Sequence, residues 1–198
     1  MKRNRLAVAA GAAVLLLTPS AVDAQSPCSI EGSWVAGWND ATGAGVESDT
    51  LIPLDPAGNR LAYRGSITNP SLWTPFAPSS AVLGTIVGAF VRNGPRAYKF
   101  TMIMHATEAQ PVGTPGRAQR TTFAVVSGSA ECINENTLSM KGTFAIFSAI
   151  NVPEMGIHNQ DKDYDGFPDA DETPIVSLPI ELVSKRVQVK EPYPPTPQ

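Results

Sequence analysis

The sequence is poor in the residues on which most catalytic sites depend. Its 198 residues include only two histidines and two cysteines, and charged residues make up 17% of the chain. It contains no Gly-x-Ser-x-Gly, no His-Glu-x-x-His and no phosphate-binding glycine loop. No basic stripe or basic amphipathic segment is present, which argues against binding to nucleic acid or to a membrane surface. We therefore predict no catalytic residues, and a non-enzymatic protein is favoured.

Long apolar runs are also missing. A membrane-spanning helix needs about 20 apolar residues, and the longest apolar run, residues 6–17, is shorter than that. Three basic residues precede this run, and small or modest-sized residues occupy positions 21–24. This order is typical of a secretory signal peptide cleaved near Ala24. We therefore expect a secreted or periplasmic protein without a membrane span.

Removal of residues 1–24 would leave enough chain for one domain with a hydrophobic core. We assign that domain to residues 25–190 and expect the proline-rich tail, residues 191–198, to be extended or disordered. The domain has two cysteines, Cys28 and Cys132, and export to an oxidising space favours a disulfide between them. Two free buried thiols are the alternative.

Hydrophobic residues recur at every second position along the domain rather than at helical spacing. Tyr98, Phe100 and Met102, for example, alternate with Lys99 and Thr101. Turn signals rich in glycine, asparagine and proline separate such runs, and no window offers a capped amphipathic helix. The candidate strands are residues 32–38, 49–54, 60–68, 82–92, 96–105, 119–127, 129–133 with 137–148, and 174–189.

Successive hairpins with short links predict an all-β fold, an antiparallel meander of about eight strands. A closed or partly open barrel is favoured over a β-sandwich. The reason is that closure removes the edge strands that an exported monomer would otherwise have to protect.

The most acidic stretch of the chain is DKDYDGFPDADE, residues 161–172, which carries six carboxylates and one lysine. The formal net charge of the whole chain is −3; residues 1–24 contribute +2, so the remainder carries −5, and this stretch alone accounts for −5. Oxygen ligands at alternate positions, with glycine at the sixth, have the spacing of a calcium-binding loop. The predicted ligands of Ca²⁺ are the side chains of Asp161, Asp163, Asp165, Asp169 and Glu172 and the carbonyl of Phe167.

Prolines on both sides of this loop argue against the entering and exiting helices of an EF-hand. The form D-x-D-x-D-G-x-P-D-x-x-E resembles the calcium loops of thrombospondin type 3 repeats and the related single, EF-hand-like loops of bacterial secreted proteins. The resemblance implies Ca²⁺ as a structural cofactor that pins the connection to the last strand. A solvated acidic hairpin loop without an ion is the alternative.

A second pattern lies near the ends of the domain. Gly32-Ser33-Trp34 in the first strand and Lys185-Arg186 in the last resemble the lipocalin and wider calycin pattern. The resemblance implies that Trp34 packs against Arg186 at the closed end of a barrel with a ligand cavity; Trp34 as an ordinary strand aromatic is the alternative. The cavity would be lined by Phe100, Met102, Met104, Phe123 and Phe144, which would equally fill a solid core.

The leading functional hypothesis is a secreted, non-enzymatic calcium-binding β-domain with an extracellular binding or structural role and an unidentified partner. Trp73 and Phe76, in a proline-rich segment, are candidate contacts for a partner or ligand, together with Met102 and Met104. One alternative is a calycin-like carrier of a small apolar ligand. Another is a barrel enzyme of isomerase or cyclase type, which a buried polar pair beside a cavity would favour.

Overall fold

The computed structural model describes residues 27–40, 43–67, 81–108 and 120–188. Within these ranges the chain forms nine β-strands and one 3-10 turn, and it contains no α-helix. The strands are β1 (Gly32–Asp40), β2 (Gly43–Pro53), β3 (Arg60–Ile67), β4 (Ala81–Leu83), β5 (Ile86–Arg92), β6 (Ala97–Glu108), β7 (Arg120–Asn134), β8 (Thr137–Ser148) and β9 (Val176–Arg186). The 3-10 turn spans Pro153–Met155.

Eight of the strands form a closed antiparallel barrel. They neighbour one another in the order β6-β5-β3-β2-β1-β9-β8-β7, and pairing between β6 and β7 joins the two ends of this sheet. The short strand β4 pairs with the end of β6, beyond the part of β6 that pairs with β5. The predicted all-β meander and its closure are confirmed, and the sandwich alternative is wrong.

Two predicted strand boundaries differ from the structure. Residues 119–127 and 129–133 were expected as separate strands, but β7 runs through both because it pairs along its length with β6 and β8. Gly128 faces Gly142 across this pairing so closely that a Cβ on either would meet the other strand's backbone. The predicted strand 82–92 is instead interrupted between β4 and β5, where the N–H of Gly84 donates to the carbonyl of His105 at 2.8 Å.

The barrel interior is filled mainly by apolar side chains at alternate positions, including Leu51, Leu61, Phe90, Phe100, Met102, Met104, Phe144 and Ile146. A second, smaller cluster comprises Ile103, Phe123, Phe147 and Ala149. Phe123 was expected among the inward residues, and that expectation is wrong. Its neighbour Ala124 belongs to the interior cluster, so the alternation along β7 turns Phe123 to the outer face.

Short hairpins and covalent bracing characterise one end of the barrel. The predicted disulfide between Cys28 and Cys132 is present and ties the segment before β1 to β7. The guanidinium of Arg186 lies 4.4 Å from the centre of the Trp34 ring, which is 1% exposed. Arg186 also donates to the carbonyls of Ser29 and Glu135 at 2.8 and 2.6 Å. We call this the braced end.

The opposite end carries the longest connection that the structure describes, residues 149–175, which link β8 to β9. Trp73 and Phe76, the predicted signal peptide and the predicted tail at residues 191–198 lie outside the described residues. In the described part of the chain, no helix has the length and hydrophobicity needed to span a membrane.

Candidate functional site

The acidic loop, residues 161–172, curls around its first carboxylate. Hydrogen bonds between residues two positions apart set its curvature: the N–H of Asp165 donates to Asp163 Oδ1 at 3.2 Å, and the N–H of Phe167 donates to Asp165 Oδ1 at 2.7 Å. Gly166 adopts φ +95°, which L side chains rarely reach, and its N–H donates to Asp161 Oδ2 at 3.1 Å. The glycine at the sixth position of the predicted calcium loop therefore makes the chain reversal.

Asp161 is the buried centre of the loop, with a relative exposure of 0%. Its Oδ2 forms an ion pair with the guanidinium of Arg120, whereas its Oδ1 is buried and has no hydrogen-bond partner. Burial acts to raise the pKa of Asp161, but the hydrogen bond and charge of Arg120, with the N–H of Gly166, outweigh it and hold this pKa below its ordinary value. Asp161 is thus held ionised, with one oxygen free to accept.

Two further carboxylates converge on this group. A ligand oxygen from each of Asp161, Asp163 and Asp169 lies within 4.8 Å of those from the other two. Oxygens on opposite sides of a Ca²⁺ ion, each about 2.4 Å from it, are separated by about 4.8 Å. The three side chains can therefore belong to one calcium coordination shell without a large rearrangement.

The other three predicted ligands are not in this cluster. Asp165 accepts from the N–H of Phe167, and Phe167 is itself 45% exposed. The carboxylate of Glu172 accepts from Lys162 Nζ at 2.7 Å and contacts His158 Nε2 at 2.8 Å. The hydrogen bonds from Lys162 and then His158 lower the pKa of Glu172 to about 2. The structure thus brings three of the six predicted ligands together and gives Glu172 a lysine as its nearest positive charge.

The loop rests on the outer face of the barrel. The Arg120 guanidinium lies 5.2 Å from the Phe123 ring centre and 3.5 Å from His105 Nδ1. Gly166 lies over the same imidazole, since a Cβ added there would be 3.6 Å from His105. Burial, and then the charge of Arg120, lower the pKa of His105. Sequence reasoning missed Arg120, because nothing local to the start of β7 indicates a partner 41 residues later.

A second polar group lies inside the barrel. Glu47 and Asp49 occupy consecutive inward positions of β2 and are 4% and 5% exposed. Both carboxyl groups hydrogen-bond the hydroxyl of Tyr63 on β3. Gly65 leaves room for this arrangement, because a Cβ there would collide with the Tyr63 hydroxyl and with Asp49. We call Glu47, Asp49 and Tyr63 the interior acid group.

Burial dominates the electrostatics of the interior acid group. Desolvation, followed by the charge of Glu47, raises the pKa of Asp49 to about 8. Burial also raises the pKa of Glu47 and that of Tyr63. Two carboxyl groups this close cannot both ionise freely, so they share a proton near neutral pH.

The sequence contained a usable signal for this group. The strand was predicted to begin at residue 49, whereas β2 begins at Gly43 and includes Glu47. With the full strand, two acids stand in the same alternating series as the buried Leu51. That series indicates carboxyl groups on the inward face.

No protein-family model matches the chain, and neither a curated protein nor a solved structure matches it. The resemblances noted for residues 161–172 and for Trp34 and Arg186 therefore stay hypotheses. The contact between Trp34 and Arg186 is present as geometry. The comparisons give no evidence on function, which is therefore inferred from the residues and their contacts.

Proposed function

We propose that this protein is an exported, non-enzymatic β-barrel in which residues 161–172 bind Ca²⁺ as a structural ion. The observation that carries the proposal is the Oδ1 atom of Asp161. It is buried without a hydrogen-bond partner, and its carboxylate converges with those of Asp163 and Asp169. A buried acceptor without a partner is costly, and a bound cation satisfies it.

Charge supports a dication in this position. The loop carries a formal charge of −5, and the described cations near it, Arg120 and Lys162, face Asp161, Asp169 and Glu172. Carboxylates this close repel one another, and a divalent ion between them relieves that repulsion. Three convergent carboxylates suit Ca²⁺ better than Mg²⁺, which usually takes one or two carboxylates and keeps several waters.

The ion would stabilise the connection between β8 and β9. The loop lies within that connection, and the ion pair between Asp161 and Arg120 anchors it to β7. Binding to the folded state alone stabilises it by RT ln(1 + [L]/Kd), which is about 1–3 kcal/mol at 10 to 100 times Kd. The described chain has no α-helix on either side of the loop for the ion to reorient, so a structural role is favoured over a signalling role.

Terbium luminescence tests this proposal directly. Tb³⁺ replaces Ca²⁺ in oxygen sites, and Tyr164, within the loop and 77% exposed, can sensitise its emission. We expect Tb³⁺ emission that Ca²⁺ displaces and that the Asp163→Asn/Asp169→Asn variant loses. Asp171→Asn is the matched control, because Asp171 is an acid of the same loop outside the predicted ligand set.

Tyr164→Phe separates sensitisation from binding. This variant should lose emission but retain Ca²⁺ binding in calorimetry, because a side chain that does not ligate the ion has been changed. Equal emission from Asp163→Asn/Asp169→Asn and the wild type would rule out the loop as the ion site.

A small-molecule site in the barrel interior is the second candidate function. The observation that favours it is the interior acid group, a buried polar set within a mainly apolar barrel. Two interior hydroxyls, Ser184 Oγ and Thr122 Oγ1, are also buried without hydrogen-bond partners. Such groups mark places that bound waters or ligands commonly satisfy. A carrier or a barrel enzyme would both use an interior site of this kind.

A further inference from the structure

The interior acid group lacks a positive partner in the described part of the protein. No lysine, arginine or histidine side chain described there forms an ion pair with Glu47 or Asp49. The inward positions beside the pair are Trp34 and Ala36 on β1 and Gly65 and Ile67 on β3, none of which titrates. The two carboxyl groups therefore keep a shared proton because no described cation replaces it.

The surroundings of the group suit an organic cation better than a hydrated metal ion. The Tyr63 ring stacks on Phe90 at 5.7 Å, and Phe90 stacks on Phe100 at 5.1 Å. This aromatic row starts at the hydroxyl that joins the two acids and leads into a core that contains Met102. Aromatic faces attract organic cations, and an apolar core accepts the hydrocarbon part of such a ligand.

The direction of approach is also indicated. From Glu47 toward the end of the barrel opposite the braced end, the next inward position of β2 is Gly45, which itself contributes no side chain. In the other direction Leu51 and Trp34 are buried and close the interior.

We propose that Glu47 and Asp49 bind the ammonium group of a small, otherwise apolar organic amine inside the barrel. This inference rests on the interior site named above as the second candidate function and is independent of calcium. On binding, the ammonium donates to both carboxylates, and the proton that they shared is released to solvent. The Tyr63 hydroxyl then donates to one carboxylate, while the aromatic row and Met102 contact the hydrocarbon chain.

The test compares amines with alcohols of equal chain length. Isothermal titration calorimetry of the mature protein would use butyl-, hexyl- and octylammonium chloride against butanol, hexanol and octanol. We expect at least one amine to bind at least tenfold more tightly than its alcohol. We also expect release of up to about one proton per amine, measured by repeating the titration in buffers of different ionisation enthalpy.

Variants locate the effect at the acid pair. Glu47→Gln/Asp49→Asn should weaken amine binding at least tenfold, whereas Glu131→Gln/Glu181→Gln, which removes two exposed acids, should leave it unchanged. Circular dichroism checks that each variant is folded. Should the interior variant fail to fold, the amine preference and the proton count of the wild type decide the matter.

Four outcomes would overturn the proposal. Equal binding of amine and alcohol would keep an interior site but remove its preference for cations. Binding of neither series would remove the interior site as well. Amine binding without proton release, or with full strength in the interior variant, would place the amine elsewhere on the protein.

Discussion

Replacement of Arg120 by glutamine should make the stability of the protein depend more strongly on calcium. Arg120 is the only described side chain in an ion pair with the buried Asp161. If Ca²⁺ also binds Asp161, arginine and ion are two sources of positive charge for one carboxylate. Without either source, a buried charge would remain unpaired.

The expected size follows from burial. Removal of one partner of a buried ion pair costs about 3–5 kcal/mol. Arg120 is 22% exposed, and the N–H of Gly166 still donates to Asp161 after the change. We therefore expect a loss of about 2–3 kcal/mol in EDTA, which lowers the unfolding midpoint of a domain of this size by about 4–12 °C.

Calcium should restore most of the stability that the Arg120→Gln variant loses in EDTA. The ion would supply the missing positive charge, and the variant no longer holds an arginine that repels it. In about 2 mM Ca²⁺, we expect the Arg120→Gln variant to lie within about 1 kcal/mol of the wild type. The calcium-dependent rise in midpoint should then be larger in the variant than in the wild type.

Thermal unfolding followed by circular dichroism, in EDTA and in Ca²⁺, measures both midpoints. Arg64→Gln is the matched control, because Arg64 is an exposed arginine on β3, three strands from β7 around the barrel. The reasoning would be refuted if Arg120→Gln lost the same stability in both solutions. That result would mean that arginine and ion do not share Asp161.

Three further predictions concern the loop, the interior and the disulfide. Gly166→Ala should cost about 1–3 kcal/mol, because alanine is strained at φ +95°; chemical denaturation measures the loss, and no change would contradict the assigned backbone conformation. Asp49 has a folded pKa raised to about 8, so its contribution to stability is complete below pH about 4 and is lost as the pH rises toward 8. Asp49→Asn should therefore stabilise the protein more at pH 8 than at pH 5, and equal effects at both pH values would refute the raised pKa. Reduction of the bond between Cys28 and Cys132, 104 residues apart, should cost about 4–5 kcal/mol, with unfolding in urea with and without reductant as the measurement; curves that coincide would argue against a stabilising disulfide.

Alternation and turn signals predict most of this fold because the barrel consists of consecutive hairpins. An inward residue such as Phe100 is followed by an outward one, and that local rule is enough to assign its face. The rule assigned Phe123 to the wrong face because the outer face of β7 is apolar as well. Ala149, in the connection formed by residues 149–175, belongs to the same outer cluster as Phe123. Alternation within strands does not predict where such a long connection folds back onto the barrel.

In the candidate sites, too, features that are local in sequence could be predicted and contacts between distant residues could not. The ligand spacing of the acidic loop is local, so Asp161, Asp163 and Asp169 could be named from sequence. The partner of Asp161 is Arg120, and the partner of Glu47 and Asp49 is Tyr63. These partners depend on strand register and on the path of a connection, which the sequence does not encode at any fixed spacing.

The last strand explains why a structural ion would act where the acidic loop lies. Most residues of β9 are exposed or only partly buried, with Ser184 the one buried residue of the strand. Its pairing with β1 extends only over Trp34–Ala36 and Ser184–Arg186, whereas its pairing with β8 is long. Val176, Ile180 and Leu182 pack against the interior cluster but are only partly buried, so hydrophobic burial holds β9 only in part.

Contacts at its two ends then add to the attachment of β9. At its C-terminal end, Arg186 stacks on Trp34 and donates to carbonyls on both sides of the seam. At its N-terminal end, the acidic loop precedes the strand and is anchored to β7 through Asp161 and Arg120. An ion in that loop would fix the N-terminal end as Arg186 fixes the other. Barrel closure at the seam between β1 and β9 would thus depend on two charged contacts at opposite ends of one poorly buried strand.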